Sequence, residues 1–176
     1  MVRKIWNSIT TVLAVVAALT AILLVGVRLI GLQPYTVLSG SMEPKYPVGS
    51  TIYVKKVDTN TLGKEDAITF TIGSGTVVTH EIIEVLEDEN GRKSFRTQGI
   101  ANDTPDGDLV PAERVIGKPV FCLPLLGYAA VYFQTPAGKL TAIAACAALV
   151  LMMMLSELLF AKDGKGGKAT SGEAEQ

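Results

Sequence analysis

Two long apolar runs bracket a more polar middle section of the chain. The first, residues 5–27, carries no charge over 23 residues, and as an α-helix it would span about 34 Å, enough for a hydrocarbon core of about 30 Å. A cleaved signal peptide usually has a shorter run of about 7–15 residues. The second run, residues 140–156, is apolar on all sides, which suits lipid better than a protein core. The pattern predicts transmembrane helices over residues 5–28 and 139–160.

Basic residues flank the outer ends of both runs. Two precede the first run and three follow the second: Arg3, Lys4, Lys162, Lys165 and Lys168. The positive-inside rule then predicts a cytoplasmic N-terminus (residues 1–4), a cytoplasmic tail (residues 161–176) and an extracytoplasmic segment, residues 29–138. That segment has nine Lys/Arg against thirteen Asp/Glu, a net charge of −4. The tail lacks aromatic and branched aliphatic residues, so we expect it to be disordered. The expected location is the cell membrane, crossed twice.

The middle section consists of short β-branched runs separated by turn residues. Candidate strands are 35–38, 50–57, 67–72, 76–86, 94–97 and 115–121. Hairpin turns are indicated at residues 73–75 and, as a type I′ turn, at Asn90-Gly91. No sustained helical period occurs between residues 31 and 120. The predicted fold class is mostly β, a small antiparallel curled sheet or barrel flanked by N- and C-terminal transmembrane helices.

Composition and charge exclude several function classes. The single histidine, His80, and the two cysteines, Cys122 and Cys146, have no metal-ligand spacing, so no metal is expected. The formal net charge of −1 provides no general attraction for nucleic acid. No glycine-rich phosphate loop is present in the sequence. We therefore expect neither a cofactor nor a nucleic-acid partner.

Three sequence features could carry chemistry. They are the turn Ser39-Gly40-Ser41, the lone His80 in a β run, and the acidic loop 102–108. Hydrolysis by a serine needs an exposed hydroxyl, a base within hydrogen-bond reach, and a group that orients the base. Each feature alone is typical of an ordinary turn, a structural histidine or a solvated loop. Their order along the chain is more informative than any one of them.

That order resembles signal peptidase I. Residues 39–44 read SGSMEP about a dozen residues after the first apolar run, and they are followed by Thr79-His80 and by the loop 99–106, which reads G-x-A-N-x-x-x-D. The resemblance is to the endoplasmic-reticulum-type branch, also found in archaea and some Gram-positive bacteria, which uses histidine where ordinary bacterial members use lysine. It covers roughly residues 5–160 and implies a signal-peptidase-like fold.

The resemblance implies a serine endopeptidase that removes signal peptides from secreted preproteins at the extracytoplasmic membrane face. The resemblance implies that Ser41 is the nucleophile and His80 the general base. The Ser41 N–H and the Ser39 hydroxyl would form the oxyanion hole. Ser41 lies about a dozen residues past the first run and so within roughly 40 Å of the bilayer. That distance suits a scissile bond just outside the membrane.

The residue that orients the histidine is less closely defined. The resemblance places it at Asp106, the last position of the loop. Ile100 stands where the family has an acid after the glycine, so the loop departs from the family pattern there. Asp103 and Asp108 therefore remain alternative acids.

Two other functions stay open. A related membrane peptidase with a dedicated client, such as a pilin or matrix-protein precursor, would use the same residues. A catalytically inactive, membrane-tethered binding or assembly domain is the alternative from a different class. The implied partners are signal-peptide-bearing preproteins and the lipid bilayer, with the secretion translocon nearby.

Overall fold

The computed structural model describes residues 2–73 and 75–160. The tail predicted to be disordered, residues 161–176, lies outside the described residues. The chain divides into two units, Met1–Ala21 with Pro136–Gln176 and Ile22–Thr135. The described residues of the first unit are helical. All candidate site residues belong to the second unit.

Among the residues that the structure describes, two helices are long and apolar enough to cross a membrane. They are α1 (Val2–Leu24) and α3 (Pro136–Phe160), whose candidate spans have mean hydropathies of 2.1 and 2.0 with only 6% of each buried. Such exposure is unusual for a core helix of a soluble protein. The first α-helix ends at Leu24 rather than at residue 28, because the chain tightens into a 3₁₀ helix at Gly26–Ile30. The second begins earlier than predicted, since Pro136 suits a first helical turn.

In the described part of the chain, seven strands form one antiparallel sheet. They are β1 (Leu32–Thr36), β2 (Thr51–Lys55), β3 (Ala67–Ile72), β4 (Thr76–Glu87), β5 (Lys93–Gln98), β6 (Val110–Pro111) and β7 (Val115–Leu123). Their order is β1-β2-β7-β3-β4-β5-β6. Within the described residues the edge strands β1 and β6 do not pair, so the sheet is open and the barrel alternative is wrong. Closure requires two complementary edges, and β6 has only two residues.

The core of this unit consists of two clusters. One lies around β3, β4 and β5 and contains Leu62, Ile68, Phe70, Ile82, Phe95 and Val110. The other contains Met42, Tyr46, Ile52, Val54 and Ala67. Met42 and Tyr46 belong to the turn that carries Ser41, so the second cluster anchors the candidate nucleophile to the sheet.

Candidate active site

Ser41 lies in a compact turn that follows β1. The Glu43 N–H donates to the Gly40 carbonyl at 3.0 Å, and the Tyr46 N–H donates to the Met42 carbonyl at 3.0 Å. The side chains of Met42 and Tyr46 are buried, at 2% and 8% exposed. Because Met42 and Tyr46 anchor the turn, the Ser41 hydroxyl is held in place. Ser41 itself stays partly exposed to solvent.

The segment leading to this turn rests on close backbone contacts. The Val37 N–H donates to the Ser50 carbonyl and the Gly49 N–H donates to the Val37 carbonyl, both at 2.9 Å. Helix α2 (Leu126–Gln134) packs behind them, where a Cβ on Gly127 would lie 2.5 Å from the Ser50 oxygen. Only glycine permits that approach. The start of α2 therefore supports the backbone that precedes the nucleophile.

His80 lies within β4, opposite Ile68 of β3. Strand alternation places it on the same face as Val78 and Ile82. It is 8% exposed, and its ring meets the Phe70 ring edge-on at 6.4 Å between centroids. Packing on this apolar face restricts the imidazole to one orientation.

The structure joins Ser41, His80 and Asp106 in one hydrogen-bonded chain. His80 Nε2 is 3.1 Å from Ser41 Oγ, and His80 Nδ1 is 2.6 Å from Asp106 Oδ2. If the single proton of a neutral imidazole lies on Nδ1 and is donated to the carboxylate, Nε2 can accept from the hydroxyl. This is the geometry in which an imidazole can take the proton of a serine.

Asp106 is itself held by a buried threonine. The Thr97 hydroxyl donates to Asp106 Oδ2 at 2.6 Å, and the Asp106 N–H donates to the Thr97 carbonyl at 2.8 Å. Thr97 is fully buried. Asp103 and Asp108, the two alternative acids, are exposed, and in the part of the chain that the structure describes neither is hydrogen-bonded to His80.

A second glycine contact brings the acidic loop against the nucleophile. The Ala101 N–H donates to the Ser41 carbonyl at 2.9 Å. A Cβ on Gly99 would lie 2.6 Å from that carbonyl oxygen and 2.9 Å from Ser41 Cβ. Sequence reasoning assigned no role to Gly99 or to Thr97. The signals available in the sequence were that Gly99 begins the loop containing Asp106 and that Thr97 lies two residues before it.

The proposed oxyanion donors are Ser41 N–H and Ser39 Oγ. Within the described residues no group accepts a hydrogen bond from the Ser41 N–H. Ser39 Oγ lies 3.5 Å from Ser41 Oγ, at the limit of hydrogen bonding. Both donors are therefore close to the hydroxyl and available to a bound group.

A cavity of about 370 Å³ opens beside Ser41 and His80. Its walls include the apolar residues Val37, Leu38 and Val78, together with Tyr46 and Ile52. Burial raises the pKa of Tyr46, so its phenol stays neutral. The cavity is largely apolar and touches the nucleophile.

Comparison with known proteins gives matches to proteins named as signal peptidases. The chain is 41% identical over 81 residues to signal peptidase I W of Bacillus subtilis (strain 168), covering 46% of this chain and 42% of that protein. It is 27% identical over 125 residues to the signal peptidase complex catalytic subunit SEC11C of Rattus norvegicus and of Homo sapiens, covering 66% of this chain and 65% of theirs. No protein-family model matches the chain. The chain thus spans less than two thirds of the length of these relatives. Its sequence is similar to signal peptidases of a bacterium and of mammals, and this similarity supports a peptidase.

Proposed function

We propose that the protein is a membrane-bound serine endopeptidase that removes signal peptides from preproteins. The observation that carries this proposal is the chain of hydrogen bonds from Ser41 through His80 to Asp106, open to the cavity beside it. The similarity to proteins named signal peptidase I W and SEC11C supports the same reaction class. A serine–histidine pair is also what distinguishes the endoplasmic-reticulum-type branch, to which we assign the chain.

In the first half of the reaction Ser41 Oγ attacks the carbonyl carbon of the scissile peptide bond. His80 Nε2 takes the hydroxyl proton, and the Asp106 carboxylate stabilises the imidazolium that forms. The carbonyl oxygen becomes an oxyanion, which the Ser41 N–H and the Ser39 hydroxyl stabilise. The C–N bond then breaks as His80 Nε2 gives its proton to the leaving amine, and the signal peptide stays esterified to Ser41.

In the second half a water molecule attacks the ester. His80 Nε2 accepts one proton from the water while the oxygen bonds to the acyl carbon. The same two donors stabilise the second oxyanion. Its collapse returns the proton to Ser41 Oγ and releases the signal peptide as a carboxylate. The enzyme is thereby restored without a metal or cofactor taking part in any step.

The cavity beside Ser41 supports a substrate with small apolar residues before the scissile bond. A peptide whose carbonyl carbon reaches Ser41 Oγ has its preceding side chains next to Val37, Leu38 and Val78. Small residues before the cleavage site are the usual feature of signal peptides. Partners of the protein would then be signal-peptide-bearing preproteins close to the translocon.

Neither alternative function has a specific observation in its favour. A peptidase with a dedicated client would use the same serine, histidine and acid, so the site does not distinguish it. An inactive binding domain has no need for a hydroxyl, an imidazole and a carboxylate at hydrogen-bond distances. We therefore propose that the protein removes signal peptides from preproteins in general rather than from one dedicated client.

The membrane arrangement forms part of the proposal. Residues 1–4 and the tail lie in the cytoplasm, residues 5–28 and 139–160 cross the membrane, and residues 29–138 form the extracytoplasmic catalytic domain. The two exposed apolar helices support the crossings. The positions of the flanking basic residues support the direction.

The function is tested by incubating the full chain in detergent micelles with a radiolabelled preprotein. The expected result is one cleavage, after a small residue at the end of the signal peptide, identified by the mass of the new N-terminal fragment. The same protein without its signal peptide should remain intact. Failure of the folded chain to cleave the preprotein, or cleavage of both proteins at scattered positions, would contradict the proposal.

The membrane direction gives a separate prediction. In a chain carrying Cys122→Ala and Cys146→Ala, an impermeant maleimide should label Asn90→Cys in intact cells and should not label Gly172→Cys. Asn90 is exposed in the turn between β4 and β5, so access is not limited by the fold. After the cells are lysed, both should react. Equal labelling of the two positions in intact cells would refute the two-crossing arrangement.

A further inference from the structure

The segment that follows α1 is fixed to the sheet. Val27, in the 3₁₀ helix, is 7% exposed, and the buried Tyr53 donates its hydroxyl proton to the Leu23 carbonyl at 2.7 Å. Gly31 ends the 3₁₀ helix with φ of 78°, a left-handed conformation that favours glycine. Val27 faces inward, and the side chains of the next three residues, 28–30, face outward.

Those outward side chains are one cation and two large apolar groups. Arg28 is exposed, and Leu29 and Ile30 are 91% and 73% exposed. Within the described residues no carboxylate forms an ion pair with Arg28. An unpaired guanidinium beside two fully presented aliphatic side chains is unusual on a surface that faces water alone.

A cavity of about 440 Å³ lies between this segment and β1. Arg28, Gln33 and Tyr35 contribute its polar groups. The Tyr35 hydroxyl donates to Gln33 Oε1 at 2.7 Å, which leaves the Gln33 amide N–H groups directed elsewhere. Arg28 and Tyr35 line the same cavity. Burial raises the pKa of Tyr35, and the Arg28 charge opposes that rise. We call this the Arg28 cavity.

We propose that the Arg28 cavity binds the phosphate of an anionic membrane lipid. The guanidinium presents paired N–H donors that match phosphate oxygens, and the Gln33 amide adds another donor. Leu29 and Ile30 contact the acyl chains of the same lipid. The segment 29–138 has a net charge of −4, which repels anions in general. The attraction of an anion to Arg28 is therefore local, and it suits one bound lipid molecule rather than a charged membrane surface.

The position of the cavity in the chain favours a lipid over free phosphate. Arg28 is only four positions after Leu24, the last residue of α1, so the two are at most about 14 Å apart. Residues this close to the end of a membrane-crossing helix lie at the level of the headgroups. The inference rests on the proposed crossing by α1 and is independent of the peptidase activity.

The test is native mass spectrometry of the full chain released from detergent micelles, with palmitoyl-oleoyl-phosphatidylglycerol or palmitoyl-oleoyl-phosphatidylcholine added. The wild-type chain should retain phosphatidylglycerol in preference to phosphatidylcholine. Arg28→Gln should weaken that retention about tenfold, because it removes the charge-assisted pair. Retention by Arg28→Lys should fall between that of the wild type and that of Arg28→Gln, since lysine keeps the charge and loses the paired donors.

Arg92→Gln is the matched control, because Arg92 is an exposed arginine in the turn between β4 and β5. It should retain phosphatidylglycerol like the wild type. Equal retention by Arg28→Gln and the wild type would overturn the proposal. Inorganic phosphate that displaced the lipid with equal affinity would overturn the lipid as the occupant. Neither result depends on cleavage of a preprotein, so a failure of the proposed function would be seen separately.

Discussion

Replacing Ser41 with alanine should lower the rate of preprotein cleavage by a factor on the order of 10⁵–10⁶. The variant loses the only atom that can bond to the acyl carbon, and His80 Nε2 is left without the hydroxyl that lies 3.1 Å away. Packing should hardly change, because Met42 and Tyr46 anchor the turn. Single-turnover cleavage of one preprotein, with folding checked by thermal melting, measures the effect.

Ser39→Ala is the matched control for this prediction. It removes a hydroxyl two residues away and leaves the nucleophile in place. As an oxyanion donor Ser39 should account for about 10²–10³-fold in kcat, clearly less than the loss from Ser41→Ala. If Ser39→Ala were the more damaging of the two and Ser41→Ala retained cleavage, the nucleophile would have to be reassigned.

Replacing Asp106 with asparagine should lower kcat on the order of 10³–10⁴-fold. Asp106 Oδ2 accepts from both His80 Nδ1 and the Thr97 hydroxyl. An amide N–H at that position cannot accept the Nδ1 proton, so the imidazole would carry its proton on Nε2 and could not take one from Ser41. KM should change little, because Asp106 does not line the cavity beside Ser41.

Asp103→Asn and Asp108→Asn are the controls for the acid. Both residues are exposed, and a solvated carboxylate contributes little to proton transfer at a buried imidazole. Each should stay within about threefold of the wild type in the same single-turnover assay. A large loss confined to Asp103→Asn would transfer the orienting role to that residue and contradict the geometry around Asp106.

Strand patterns predicted the centre of the sheet better than its edges. The prediction for β3, residues 67–72, is confirmed; five of its six residues are β-branched or aromatic, and the first four, residues 67–70, are buried. The first strand lies at Leu32–Thr36, three residues earlier than predicted. Pro34 is tolerated in β1 because β1 is an edge strand, where a missing N–H on the outer side costs no ladder hydrogen bond.

The turn between β4 and β5 shows how a side chain overrides a short motif. Asn90-Gly91 predicted a type I′ turn, which needs positive φ at both residues. Only Gly91, at 75°, has it. The Asp88 carboxylate accepts from the Asn90 and Arg92 N–H groups at 2.8 Å, and this local pairing holds a longer loop.

The candidate site could be predicted only through its motif. Ser41, His80 and Asp106 are separated by 39 and 26 residues, and no spacing rule brings positions on a turn, a strand and a loop together. The contacts of Thr97 and Gly99 depend on the approach of separate backbone segments, which no local pattern encodes. The contacts of Thr97 and Gly99 form only once β4 and β5 are paired.

The central claim is that His80 activates the group at position 41. It is tested by measuring iodoacetamide alkylation of Ser41→Cys across the pH range, in a chain that also carries Cys122→Ala and Cys146→Ala. The neighbouring imidazole should stabilise the thiolate, so that alkylation near pH 7 is at least about tenfold faster than in the same chain with His80→Ala. Equal rates and equal pH midpoints with and without His80 would contradict the claim.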